Sequence, residues 1–232
     1  MNPRMLTLVS LLLLCAGCEG FHTFNLHGDL VPTSADFPGI ERTRSFWNVP
    51  RARRAEVDQH GFYNLYTTRL RGFDRVEQSK TYSCWAASAE MVLGFLGRPV
   101  SQSEILRTIK GEGIDEGKGY GTGMEIMEAL AGDWTHVHYD SGNAAWMAAD
   151  ISLGWPVIIA LKNDDDRVGH AVVLTEMTVS WQSTWGQPLA IVHEVVVVDP
   201  YPGMGRERWS GEEFKSRLAG CIHMRDYSLP GF

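Results

Sequence analysis

The stretch QSKTYSCWAAS, Gln78 to Ser88, runs directly into the apolar sequence AEMVLGFLG, residues 89–97. Trp85, Ala89, Val92, Leu93 and Leu96 recur at the spacing of one helix face, and Ser83 stands where an N-cap belongs. A helix starting here places Cys84 in its first turn. A cysteine inside a helix is ordinary, because a free thiol packs as a small hydrophobe. At the helix mouth it faces the positive end of the macrodipole, a setting that favours the thiolate.

Further helices follow downstream. SQSE (Ser101–Glu104) and TGME (Thr122–Glu125) read as capping boxes opening ILRTI and IMEAL. AAWMAADISL (Ala144–Leu153) is a fourth helix closed by Gly154, and SGEE (Ser210–Glu213) caps a short one. Between the second and third helices lies the glycine-rich loop GEGIDEGKGYGTG, residues 111–123. It lacks the Gly-Lys-Ser/Thr ending of a phosphate-binding loop, so nucleotide chemistry has little support.

From Trp155 onward the pattern turns to strands: WPVIIALK (155–162), HAVVLTEMTVSW (170–181), LAIVHEVVVVD (189–199) and CIHMRDY (221–227). Helices first and antiparallel strands after make an α+β layout. The two long strands are joined by QSTWGQP, residues 182–188, which contains the midpoint between His170 and Asp199. A hairpin closed there brings these two residues together across 29 positions of chain. A base beside an orienting carboxylate is what a nucleophilic triad needs. Taken singly, Asp199 is an ordinary start to the turn DPYPG and His170 an ordinary end to a loop; their coincidence at one hairpin mouth favours the site. Acyl transfer also needs donors aimed at the developing oxyanion. The backbone N–H of Cys84 supplies one, and the side-chain amide of Gln78, entering just before the helix, has the chemistry for a second.

Gln78, then Ser83-Cys84-Trp85, then Gly169-His170 and Asp199 together resemble the papain-like cysteine peptidases over roughly residues 76–227. The resemblance implies Cys84 as nucleophile, His170 as base, Asp199 as orienting residue and Gln78 as oxyanion donor. It also implies a papain-like fold, with a helical part carrying the nucleophile helix packed on a C-terminal antiparallel sheet. The family motif Cys-Gly-Ser-Cys-Trp reads Thr81-Tyr82-Ser83-Cys84-Trp85 here, so its disulfide cysteine and its glycine are absent. Only 86 residues separate Cys84 from His170, against about 130 or more in papain itself, and the third residue is Asp rather than Asn. This compact form looks more like bacterial members, including peptidases that trim bacteriocin leaders and effector peptidases of plant pathogens. Peptide or protein substrates are implied, and the chemistry needs no metal or organic cofactor. Other readings stay open: a transglutaminase, a deamidase, a peptidoglycan endopeptidase, or an inactive papain-like domain used for binding.

The first eighteen residues read as an export signal, with Arg4 as the charged region and LTLVSLLLL (6–14) as the apolar core. That core is too short to span a bilayer, which takes about 20 residues. LCAGC resembles a bacterial lipobox, with Cys15 where Leu is usual, and so points to Cys18 as a lipidated first residue and a membrane anchor; simple cleavage and secretion is the alternative. Residues 19–75 read as a linker or N-terminal arm, with NLYTTRLRGFDRV (64–76) offering one or two strands, and residues 76–232 as the peptidase domain. The 232 residues are 44% hydrophobic with a net charge of −7, enough for one domain with a sizeable core and a poor match for nucleic acid. Past the signal only Cys18, Cys84 and Cys221 remain, which is no disulfide framework. Cys221 is expected as a packed, inert thiol in the last strand. His136 and His138 form an HxH pair on one strand face; with no third ligand apparent in the sequence, an exposed strand is the plainer reading. Asp164, Asp165 and Asp166 form an acidic turn before His170.

Overall fold

Thirteen helices and strands alternate in a computed structural model that describes residues 54–60, 65–111, 120–132, 135–164, 167–184 and 187–226. The segment read as an export signal, most of the proposed arm and the centre of the glycine-rich loop lie outside the described residues. The helices are α1 (Cys84–Phe95), α2 (Gln102–Lys110), α3 (Gly123–Leu130), α4 (Ala144–Ser152) and α5 (Gly211–Arg217). The strands are β1 (Arg54–His60), β2 (Leu65–Arg71), β3 (Thr135–Asp140), β4 (Val157–Lys162), β5 (Val168–Thr184), β6 (Gln187–Val198), β7 (Arg206–Ser210) and β8 (Leu218–Asp226).

All eight described strands join one sheet, in the order β1-β2-β5-β4-β8-β3, with β6 on β5 and β7 on β6. Every described pairing is antiparallel. The long β5 makes this possible: its first half pairs β4 and its second half pairs β2, while β6 follows it along the other side. The apolar runs VIIAL and AVVL have no exposed face, with Val157, Ile159, Val172, Val173 and Leu174 wholly inaccessible. Strands covered on both faces read as continuous hydrophobic runs rather than alternating ones.

The sheet reaches back to residues 54–71: β2 falls in the stretch 64–76 read as one or two strands, and β1 lies within the stretch read as a linker or arm. Tyr66 and Leu70 of β2 are buried in the sheet. One sequence expectation changes. Helix α1 is not amphipathic: Trp85, Ala86, Ala87, Ser88, Ala89, Met91, Val92, Leu93 and Phe95 are all buried. It runs through the core, packed on β5 and β4. Only Cys84, Glu90 and Gly94 of the helix keep exposure, and small Ala side chains at 86, 87 and 89 let neighbours close on the remaining sides.

Candidate active site

Cys84 begins α1 and is half-buried. Ser83 occupies the N-cap position without capping; its hydroxyl donates to the Lys80 carbonyl at 2.9 Å instead. The first-turn N–H groups are thus not taken by Ser83, which leaves them directed at whatever sits beside the Cys84 thiol. Tyr82, just before, has φ 72, the single described non-glycine residue with left-handed backbone, and its ring stacks on Tyr120 with centroids 4.0 Å apart. Strain of this kind costs about 1–3 kcal/mol and persists only where surroundings impose it.

His170 is the third residue of β5. Its Nε2 lies 2.8 Å from Asp199 Oδ1, and its ring hydrogen-bonds Cys84, which leaves Nδ1 for the thiol. The helix and the strand that carry these two residues are tied directly, since Ser88 Oγ of α1 donates to the Ala171 carbonyl of β5 at 3.2 Å. Gly169 is needed beside His170 because a Cβ there would lie 2.8 Å from Asn163 Cβ. Asn163 in turn closes the tight turn before β5 by accepting from the Arg167 N–H at 2.9 Å. Asp164 belongs to that turn, while Asp165 and Asp166 lie outside the described residues.

Asp199 follows β6 and is 6% exposed. It is held from three directions. Its N–H donates to the Gly205 carbonyl, its Oδ1 accepts from the Tyr201 N–H, and its carbonyl accepts from Arg75 Nε at 2.8 Å. Arg75 also reaches the Tyr201 carbonyl at 2.6 Å, so one guanidinium clamps both ends of the turn that carries the carboxylate. No sequence pattern marked Arg75; its role depends on a contact across 124 residues.

Burial pulls the His170 pKa down, but hydrogen bonds from Asp199 and Cys84, with the charges of both, outweigh it and raise the value to about 9. Imidazolium is therefore the resting form at neutral pH, beside the Cys84 sulfur at a helix N-terminus. Such an arrangement can attack a carbonyl and then protonate the leaving group. Gln78 stands at the edge of this site, its N–H donating to the Pro200 carbonyl at 2.8 Å, next to Asp199. Its side-chain nitrogen donates to the Lys80 carbonyl at 3.1 Å, while its Oε1 is buried without a partner. The structure thus brings Cys84, His170 and Asp199 into one chain of contacts and puts Gln78 on its rim, with the amide turned to the backbone.

Cys221 and Cys84 are both free thiols. Cys221 is fully buried in β8, and burial with the nearby Asp140 charge pushes its pKa far up. The face opposite it is buried too, through Ile222, because β8 lies inside the sheet.

A thiol, an imidazole and a carboxylate in this order define a cysteine peptidase type of site on a papain-like α+β fold. The Peptidase_C39-like family model matches residues 70–218, most of the chain, and the protein belongs to that family. No curated protein matches it. Among solved structures, the peptidase domain of Streptococcus ComA, a bifunctional ABC transporter of a quorum-sensing pathway, is 19% identical, with 66% of this chain and 98% of that one covered and a TM-score of 0.49. A C39-like peptidase from Bacillus anthracis is 14% identical, with 68% and 96% covered and a TM-score of 0.47. A double-glycine-motif protease from an AMS/PCAT transporter, solved with its leader peptide, is 18% identical, with 66% and 91% covered and a TM-score of 0.45.

Proposed function

We propose that this protein is an exported cysteine peptidase that cleaves peptide bonds through a thioester on Cys84. The observation that carries the reading is His170 held between Asp199, at 2.8 Å, and the Cys84 thiol at the first turn of α1. In the first step the Cys84 sulfur, its proton held by His170 Nδ1, attacks the scissile carbonyl and the carbonyl electron pair moves to oxygen, stabilised by the Cys84 N–H and by the Gln78 amide once it swings from Lys80. The C–N bond then breaks, and the imidazolium of His170 gives its proton to the leaving amine. Water, deprotonated by the now neutral His170, attacks the thioester and releases the acid.

The substrate is a peptide or protein. Export rests on the charged and apolar pattern of residues 4–14, and anchoring on Cys18 in LCAGC. The test is mass spectrometry after an epoxide or alkylating probe of cysteine peptidases. One adduct on Cys84, formed faster than on a free thiol at the same pH and lost in Cys84→Ala, is the expected result. Labelling no faster than a free thiol would leave the domain as an inactive binding fold.

A further inference from the structure

The HxH pair of β3 acquires partners once β3 lies on β8. Register places His138 opposite His223 and Asp140 opposite Cys221, all four on one face of the pair. Cys221 Sγ lies 3.1 Å from His223 Nε2 and 3.6 Å from Asp140 Oδ1, and one donor atom from each of the three residues falls within 4.8 Å of the others. Behind them, His223 Nδ1 meets Asp150 Oδ2 of α4 at 2.6 Å, and the other Asp150 oxygen accepts from Arg225 at 2.9 Å. Cys221, His223 and Asp150 are completely inaccessible.

The chain Cys221–His223–Asp150 repeats the residue types of the active site, but it sits mid-strand and sealed from any peptide. Nucleophilic chemistry is therefore excluded, while a small cation passing the half-exposed His138, Asp140 and Trp146 is not. We propose that Asp140, Cys221 and His223 form a zinc site, separate from Cys84. Tetrahedral zinc, with bonds of about 2.0–2.3 Å to N, O and S, sets its ligand atoms roughly 3.5 Å apart, near the sulfur–oxygen distance seen here and slightly wider than the sulfur–nitrogen one. A metal-bound histidine typically donates its second ring nitrogen to a carboxylate, and Asp150 stands in that place, its charge balanced by Arg225. Zn²⁺ with one thiolate and one carboxylate is neutral overall, as a buried site requires. Binding breaks the S–H bond of Cys221 and forms the Zn–S bond, with the proton leaving to solvent.

A further observation concerns the fourth ligand. His138 stacks on His223 with ring centroids 4.7 Å apart and planes within 5°, and both of its ring nitrogens are buried without a hydrogen-bond partner. A turn of this ring from its stack brings a nitrogen to the open position.

The experiment is titration of the metal-free full-length protein with Co²⁺ as a spectroscopic substitute, followed by Zn²⁺ competition against a chromophoric chelator. The expected result is one equivalent with a thiolate-to-cobalt charge-transfer band, displaced by zinc, unchanged in Cys84→Ser and absent in Cys221→Ser. Asp140→Asn, at a half-exposed position, tests the site even if Cys221→Ser misfolds, and should weaken zinc at least tenfold; His138→Ala should weaken it less. No band in the wild type, or a band that survives Cys221→Ser or Asp140→Asn but is lost in Cys84→Ser, overturns the proposal.

Discussion

His170 is pulled in opposite directions, and the balance can be read as a function of pH. Its folded value of about 9 stands above the ordinary value near 6.5. With the folded pKa raised, protonated His170 adds stability that is fully present below about pH 6.5 and is lost as pH rises through about 9. The same group shapes turnover. The alkaline limb of kcat/KM should fall near pH 9, where the proton donor for the leaving amine is lost. Asp199→Asn removes the strongest upward influence on that pKa, so the limb should move to lower pH along with a lower kcat; a limb that stays in place would show that Asp199 does not set the imidazole. Cys84→Ala should end labelling and turnover with the fold intact, and His170→Ala should come next in severity. Gln78→Ala should lower kcat roughly a hundredfold, the scale of one oxyanion donor, with KM little changed. At this scale, Cys84, His170 and Asp199 were legible because each sits at an element boundary that patterning locates. Arg75 and Ser88 were not, since their partners are fixed only when distant strands meet.

Among the elements, α1 shows how closely the nucleophile helix is fitted. Gly121 approaches the Trp85 indole so nearly that a Cβ would lie 2.4 Å from the ring. Trp85 is 2% exposed and cannot swing aside, so Gly121→Ala should cost about 1–3 kcal/mol and slow alkylation of the adjacent Cys84. Gly94, on the exposed side of the same helix, has open space around its Cβ position. Gly94→Ala should instead stabilise by about 0.5–1 kcal/mol through helix propensity and leave labelling unchanged. Thermal melts of the two variants beside wild type check both, and equal effects would mean that contacts around α1 do not govern its position. The hairpin of β5 and β6 was plain from two apolar runs about one turn. Its register was not: it shifts between Leu174 and Glu176 and between Thr178 and Val179 on the way to Thr184 opposite Gln187. Bulges of this sort leave no trace in hydrophobic periodicity. Capping was legible in part: Thr122 and Glu125 form the full reciprocal box, Ser101 and Ser210 accept from the third helical N–H, and Ser83 turns away to Lys80.

For the molecule as a whole, the family match over residues 70–218 leaves three regions to be explained by other means: the β1–β2 edge and the final strand β8, which the sheet absorbs, and the N-terminal segment read as an export signal. Among the described residues no helix is long and apolar enough to cross a membrane. LTLVSLLLL followed by LCAGC offers an acylated Cys18, and the physics of that anchor is quantitative. Each buried CH₂ contributes about 0.8 kcal/mol, and one acyl chain holds a protein only marginally, whereas the two or three chains of a lipoprotein hold it stably. Expressed in a bacterium that processes lipoproteins, the protein should partition into the detergent phase and carry an acylated Cys18 as its first residue. Cys18→Ser should move it to the aqueous phase or stop its processing, while the rate of Cys84 labelling per molecule stays the same. Intact mass and N-terminal sequencing decide the matter, and a mature terminus at another residue without acyl mass would make this a freely secreted peptidase.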